Sequence, residues 1–276
     1  MTPLLHMLSN WRPFSALVVG DFMLDELVYG DAERLSADAP VPILHVRRIE
    51  SRAGGSANVC LNLAALKGNV KAFGVLGSDR HGEALSGELA RAGVDVAGLI
   101  ADASRPTTVK QNLIGLAQSR HPQKMFRVDY ESHDPISAAV MERLLDAFDA
   151  ALPATDVVCI EDYAKGVCSP ALCQAVIARA MTVGKPVFVD PARLSDYSRY
   201  ARASAITPNR TEAETASGLP TSADATPEHN TRLARKLQSQ LDLEACILTL
   251  DRHGALLLER GGDPVAVPTV ARQVYD

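Results

Sequence analysis

The stretch Ala16-Leu17-Val18-Val19-Gly20-Asp21-Phe22-Met23-Leu24-Asp25 sets an unbroken apolar run directly against a glycine and two acids. Four apolar residues without alternation read as a strand buried on both faces, as in a parallel sheet. Working outward, the unit recurs. Residues 72–76, 157–160, 187–189, 205–207 and 246–250 are short apolar runs bounded by Gly, Pro or Asp. Between them lie segments of helical period, 57–67, 82–92, 138–152, 170–183 and 231–241, and Gly68, Gly93 and Gly184 close three of them. This alternation predicts β-α units and an α/β fold with helices on a mainly parallel sheet. Segments 26–52 and 107–129 break it, because period-two stretches such as 43–46 and 110–114 occur there without an intervening helix. They predict a small projecting β layer beside the carboxyl edge of the sheet, a lid able to cover a ligand. Residues 222–229 read as a polar loop, and residues 1–276 as one domain.

Composition agrees with helices on a buried sheet: 47% of the 276 residues are hydrophobic and only 5% aromatic. The formal net charge of −5, with no basic cluster denser than Val46-Arg47-Arg48, excludes nucleic acid as the main partner. Cys60, Cys159, Cys168, Cys173 and Cys246 are odd in number and lie mostly in apolar patterns, with no CxxC pair or His/Cys cluster at metal spacing. A reducing cytoplasm is expected. No apolar run approaches the ~20 residues of a membrane span, and the start lacks a signal-peptide pattern.

Candidate chemistry gathers where strands end. Asp21 and Asp25 follow the first strand, where carboxylates suit paired acceptance from sugar hydroxyls or, equally, the capping of a turn. Gly54 and Gly55 leave the backbone bare before a helix, so amides and the Asn58 side chain can approach a ligand; the alternative is a tight turn with Ser56 as N-cap. Ile160-Glu161-Asp162-Tyr163-Ala164-Lys165-Gly166 places two acids and a cation at the same edge. Lys165 suits a phosphate, or else a solvated pair with Asp162. Asn209 and Glu212 have the spacing of a capping box; they also suit a triphosphate contact and the hydration shell of Mg²⁺. Asp190 and the stretch from Thr249 to Gly254 would complete a nucleotide wall. No dinucleotide fingerprint or Walker-type loop is present.

Taken in order, these motifs resemble the ribokinase-like (PfkB) carbohydrate kinases across nearly the whole chain. The resemblance implies an ATP-dependent sugar kinase in which Asp25, Gly54, Gly55 and Asn58 bind the sugar. It implies further that Asn209 and Glu212 serve nucleotide and Mg²⁺, with Glu212 the metal-side carboxylate, and that Gly254 lies beside adenosine. Gly20-Asp21 with Met23-Leu24-Asp25, Arg34 and Ser36 leading into Ala39-Pro40-Val41-Pro42, and Asp162 to Gly166 look most like kinases of D-glycero-β-D-manno-heptose 7-phosphate. Those phosphorylate the anomeric hydroxyl on the route to the ADP-heptose of lipopolysaccharide cores. Arg34, Lys110, Arg127 and Lys165 are then candidate cations for the substrate phosphate, with Lys165 favoured.

The chain departs from the wider family at Ser56, Cys60, Asp251 and Ala192-Arg193, where relatives carry other small residues, Gly and Lys-Gly. Relatives also continue after an Asp like Asp276 into Thr-Gly-Ala-Gly-Asp, whose last Asp is the catalytic base. That base is expected beyond Asp276, in a longer biological chain. The expected partners are a small sugar phosphate and ATP, with a homodimer through the lid and neither nucleic acid nor membrane. A kinase for another sugar or a nucleoside, and a non-catalytic sugar-phosphate or nucleotide binding module, are the rival readings.

Overall fold

A computed structural model describes residues 6, 10–117, 121–221 and 226–269. Nine strands form the main sheet: β1 (Phe14–Gly20), β4 (Gly68–Gly77), β5 (Asp95–Asp102), β8 (Val157–Glu161), β9 (Val187–Asp190), β10 (Ala205–Ile206), β11 (Ala245–Thr249), β12 (Ala255–Glu259) and β13 (Val265–Val267). Their order is β13-β12-β11-β10-β9-β8-β1-β4-β5. All neighbours pair in parallel except β11–β12 and β12–β13. Six helices are described: α1 (Ser56–Ala65), α2 (Arg80–Arg91), α3 (Ala138–Ala151), α4 (Pro170–Thr182), α5 (Arg210–Ser217) and α6 (Pro227–Leu241).

Strand β1 is buried on both faces, whereas Phe188 of β9 is exposed. Leu17 and Val19 of β1 pack with α3 and α4 through Leu144, Phe148, Leu172 and Val176, while Val18 packs on the opposite face with Ala57, Leu85 and Leu89 of α1 and α2. Caps fix where helices begin. Asp79, Ser137, Ser169 and Thr226 each accept a backbone N–H of the first turn, and Pro170 and Pro227 follow the last two as first helical residues.

Several expectations shift. The helix placed at 231–241 starts at Pro227, inside the stretch read as a loop; residues 222–225 of that stretch lie outside the described residues. Gly93 and Gly184 have the left-handed φ expected after a helix, but after α1 Lys67 takes it, at φ 67°, and Gly68 opens β4. Strands β5, β12 and β13 and helix α5 were not resolved by periodicity. The strand expected at 205–207 is the two-residue β10, which lies between β9 and β11.

The two segments that broke the alternation form a second sheet from β2 (Phe22–Leu35), β3 (Pro42–Gly55), β6 (Thr108–Ala117) and β7 (His121–Tyr130), in the order β3-β2-β6-β7. Strand β2 begins two residues after β1 ends, and β3 runs directly into α1, so this layer is rooted beside the main sheet's carboxyl edge. Cross-strand register sorts its side chains. Arg52, Asp25, Lys110 and Asp129 form one row, and Glu50, Leu27, Asn112 and Arg127 form the next on the same face. The other face carries Ile49, Phe126, Val128 and Tyr130, all exposed.

Candidate active site

The carboxyl ends of β1, β8, β9, β10 and β11, together with the root of the second sheet, bring most of the candidate residues to one edge. Asp25 is half-buried and its carboxylate accepts no hydrogen bond among the described residues. It lies over Gly54, where a Cβ would come within 2.6 Å of Oδ2 and would push this carboxylate from its place. Gly55 has φ +54° and packs against the Asp21 carbonyl, which a side chain would strike. Asn58 is exposed on the first turn of α1. Ser56 does not cap that helix. It is the first helical residue, and its buried hydroxyl donates to the Glu161 carbonyl at 3.4 Å.

Cations surround Asp25 unequally. Lys110 stands beside it in register, its Nζ 5.7 Å from the centre of the Tyr163 ring, and forms no ion pair among the described residues. Arg127 is held by Asp129 through paired contacts of 2.8 Å, and these together with the charge of Asp25 push its pKa up. Lys165, the favoured phosphate cation, is instead paired with Glu131 at 2.7 Å. Burial works against the Glu131 charge, but Lys165 and His133 outweigh it and hold this carboxyl below the ordinary range. Its partner is therefore not Asp162.

Asp21 and Asp162 are both buried and turned into the protein rather than toward a sugar. The Asp21 carboxylate accepts from the backbone N–H groups of Tyr163, Lys165 and Val167. Asp162 accepts from the Tyr200 hydroxyl at 2.6 Å, the Ala164 N–H at 2.7 Å and Arg199 at 3.3 Å. Folding also brings the ligand atoms of Asp162, Cys168 and Cys173 within 4.8 Å of one another, a cluster that sequence spacing hid. Both Asp162 oxygens already serve the donors just named, so the cluster is knit into the loop. All five cysteines are free, and burial pushes Cys159 and Cys246 up to about 12.

A second group lines an open cleft of about 480 Å³: Glu161, Asp190, Thr207, Asn209, Glu212 and Thr249, with Val59 of α1 at its side. The capping box is present. Asn209 accepts from the Glu212 N–H at 2.9 Å, and Glu212 accepts from the Asn209 N–H at 2.8 Å. Asp190 accepts from the Thr207 hydroxyl. Burial pushes all three carboxyls up. Glu161, where the charge of Asp190 adds to the burial, reaches about 8, while Asp190 is opposed by Thr207 and Glu212 by Asn209. Three crowded, desolvated oxygen donors suit a hard divalent cation, whose charge would favour their ionised forms. The sequence places Glu161 at this edge as one of two acids but gives it no role. Gly254 lies in the turn between β11 and β12, next to Ala255, which pairs with Thr249, but is not among the residues lining the cleft. Asp276 and the motif expected after it lie outside the described residues.

With that geometry in view, the sequence profile described as pfkB family carbohydrate kinase matches residues 14–276. The chain belongs to this family. It is 41% identical over 265 residues to the bifunctional protein HldE of Geotalea uraniireducens, covering 96% of the chain and 52% of the relative. With the HldE of Geobacter sulfurreducens it is 40% identical over 262 residues, or 95% and 52%. The chain thus spans about half the length of these pfkB-family relatives. Among solved structures, Arabidopsis thaliana ribokinase complexed with ribose and ATP superposes with TM-score 0.69 at 19% identity, covering 96% of this chain and 81% of that one. Phosphofructokinase-2 from Escherichia coli, in its tetrameric inhibited form, gives 0.70 at 16%, covering 92% and 79%. These two establish the ribokinase-like fold. Among the described residues no helix is long and apolar enough to cross a membrane.

Proposed function

We propose that this chain is the kinase portion of an enzyme that transfers the γ-phosphoryl group of ATP to the anomeric O1 of D-glycero-β-D-manno-heptose 7-phosphate. The product is the 1,7-bisphosphate, on the route to ADP-heptose for lipopolysaccharide core. One juxtaposition carries the reading. The open carboxylate of Asp25, flanked by Lys110 and Arg127, shares an edge with the carboxylate-lined cleft of Glu161, Asp190 and Glu212. The first arrangement fits a polyhydroxylated, anionic acceptor; the second fits a cation-bound triphosphate. The stretches Gly20 to Asp25, Ala39 to Pro42 and Asp162 to Gly166 narrow the acceptor to the heptose phosphate.

In this reading Asp25 accepts hydrogen bonds from sugar hydroxyls over Gly54, and Asn58 orients the ring from α1. Lys110 is the cation best placed for the 7-phosphate, since Lys165 is neutralised by Glu131. The polar face of the β2-β3-β6-β7 sheet closes over the sugar and excludes water. Asn209 and Thr249 meet the nucleotide. Glu212, with Asp190 and Glu161, holds Mg²⁺, which when bound neutralises charge on the transferring phosphoryl group. The exposed apolar face of the lid, with Ile49, Phe126, Val128 and Tyr130, pairs with a second copy. An ATP-consuming step in a protein with free cysteines suits the cytoplasm.

Turnover of ATP by the full-length protein, with ³¹P NMR of the product, tests this. Heptose 7-phosphate should give an anomeric phosphate, while ribose, fructose and nucleosides, which offer Lys110 no phosphate, should react at least about a hundredfold more slowly. Preference for an unphosphorylated sugar would overturn the assignment. Sedimentation should show a dimer that Phe126→Asp weakens.

A further inference from the structure

Asp21 joins three parts of the site that are far apart in sequence. Its backbone N–H donates to the Glu161 carbonyl at 3.1 Å, and its own carbonyl accepts from the Ser56 N–H at 3.2 Å, fixing the Gly54-Gly55 turn to the end of β8. Its carboxylate, on a residue 1% exposed, accepts from the N–H groups of Tyr163 at 2.8 Å, Lys165 at 3.1 Å and Val167 at 3.2 Å. These donors are alternate residues. Between them Ala164 and Gly166 have positive φ, 55° and 87°, and this turns three successive odd-numbered amides toward a single point. A non-glycine residue in that region is held there by what surrounds it. The loop's outer side is tied as well: Arg105 donates to the Lys165 carbonyl at 2.6 Å, and His133 meets the Ala164 carbonyl at 2.8 Å.

We propose that Asp21 is a positioning residue for the sugar end of the site: its carboxylate folds the 163–167 loop from within and touches no substrate. Through that loop it sets Tyr163 beneath Lys110 and holds Lys165 against Glu131. Through its backbone it sets the turn on which the Asp25 carboxylate rests. Asn at this position keeps the size but replaces one acceptor oxygen with an NH₂ group, which would face at least one of the three amide donors.

The kinetic arm of the test rests on the sugar-kinase reading; the exchange arm does not. In the sugar-free full-length wild type, NMR-detected hydrogen exchange should show the Tyr163, Lys165 and Val167 amides protected, and Asp21→Asn should release them at least about tenfold. With heptose 7-phosphate and ATP, Asp21→Asn should lower kcat/KM for the sugar about 10²-fold, as a misplaced positioning contact does, while KM for ATP stays within about twofold. Unprotected amides in the wild type would overturn the proposal, even if the variant does not fold. So would a variant whose amides stay protected while sugar affinity falls, because Asp21 would then be a direct ligand. Equal losses for sugar and ATP would do the same. If the wild type does not turn over heptose 7-phosphate, the function proposed above fails and the exchange arm alone decides the role of Asp21.

Discussion

Asp21 and Glu161 sit at the same edge, after β1 and at the end of the adjacent β8, with Gly20 and Glu161 opposite in register. Both are buried, and burial pushes both carboxyls up. They differ in what surrounds them. Around Asp21 the charge of Asp162 adds to the cost of desolvation, but three backbone amides oppose it. Around Glu161 the nearby Asp190 adds to it. One carboxylate is therefore a fixture of the fold, while in the function proposed above the other receives external positive charge. Residue type and strand-end position do not separate these roles; the backbone donors do.

The largest expected effect tests the Glu161 half of that contrast. Between the ordinary value of 4.5 and about 8 the native state holds a proton that the unfolded chain has released. Stability should therefore fall as pH rises through that window, by at most roughly 5 kcal/mol at ~1.4 kcal/mol per unit. Denaturant titrations at pH 5 and pH 8 measure it, and Glu161→Gln should flatten the dependence. An equally steep fall in the variant would remove Glu161 from the account. Mg²⁺ with ATP should raise the midpoint more at pH 8 than at pH 6.

Next in size is a crossed pair of variants that asks whether the two ends of the edge bind different ligands. Asp25→Asn should weaken heptose 7-phosphate binding about 10²-fold by calorimetry, near the upper range for hydrogen bonds to a charged group, and leave ATP affinity nearly unchanged. Glu212→Gln should show the reverse, with about tenfold more Mg²⁺ needed for nucleotide binding, as expected when a metal-supporting oxygen is lost. Parallel losses would mean that the two ends are one site.

The fold was legible because the strands of a helix-flanked parallel sheet carry few polar residues, so β1, β8, β9 and β11 stand out as apolar runs. The antiparallel β12 and β13 offered too little contrast. The lid was legible for the opposite reason: its period-two segments lack the helix that a parallel crossover needs. Asp25, Gly54, Asn58 and Glu212 could be placed at the edge because each lies within a few residues of the end of a main-sheet strand or the start of a helix. The partners of Asp21, Asp162 and Lys165 could not, because the loop at 163–167 and Glu131 come together only through tertiary contacts. Lys165 was read as an available cation for that reason.

Asp162 gives a smaller test of the same contrast, since it too is satisfied by the protein. Tyr200→Phe removes the donor 2.6 Å away and leaves a buried carboxylate oxygen short of one partner, which should cost about 2 kcal/mol in denaturant unfolding. A neutral result would mean that Arg199 alone, at 3.3 Å, suffices.

The smallest effect separates the two roles that the sequence left open at Asn209. As the N-cap of α5 its side chain accepts the Glu212 N–H, so Asn209→Ala should cost about 1 kcal/mol. Asn209→Asp keeps an acceptor there and places a negative charge at a helix N-terminus, where it is favoured, so stability should change little. The same charge enters the cleft beside Glu212 and Asp190 and would repel a triphosphate. A variant as stable as wild type but weaker for ATP therefore means that Asn209 both caps the helix and faces the nucleotide. If Asn209→Asp binds ATP normally, its contribution ends with the cap, and the receptive end of the edge begins at Glu212.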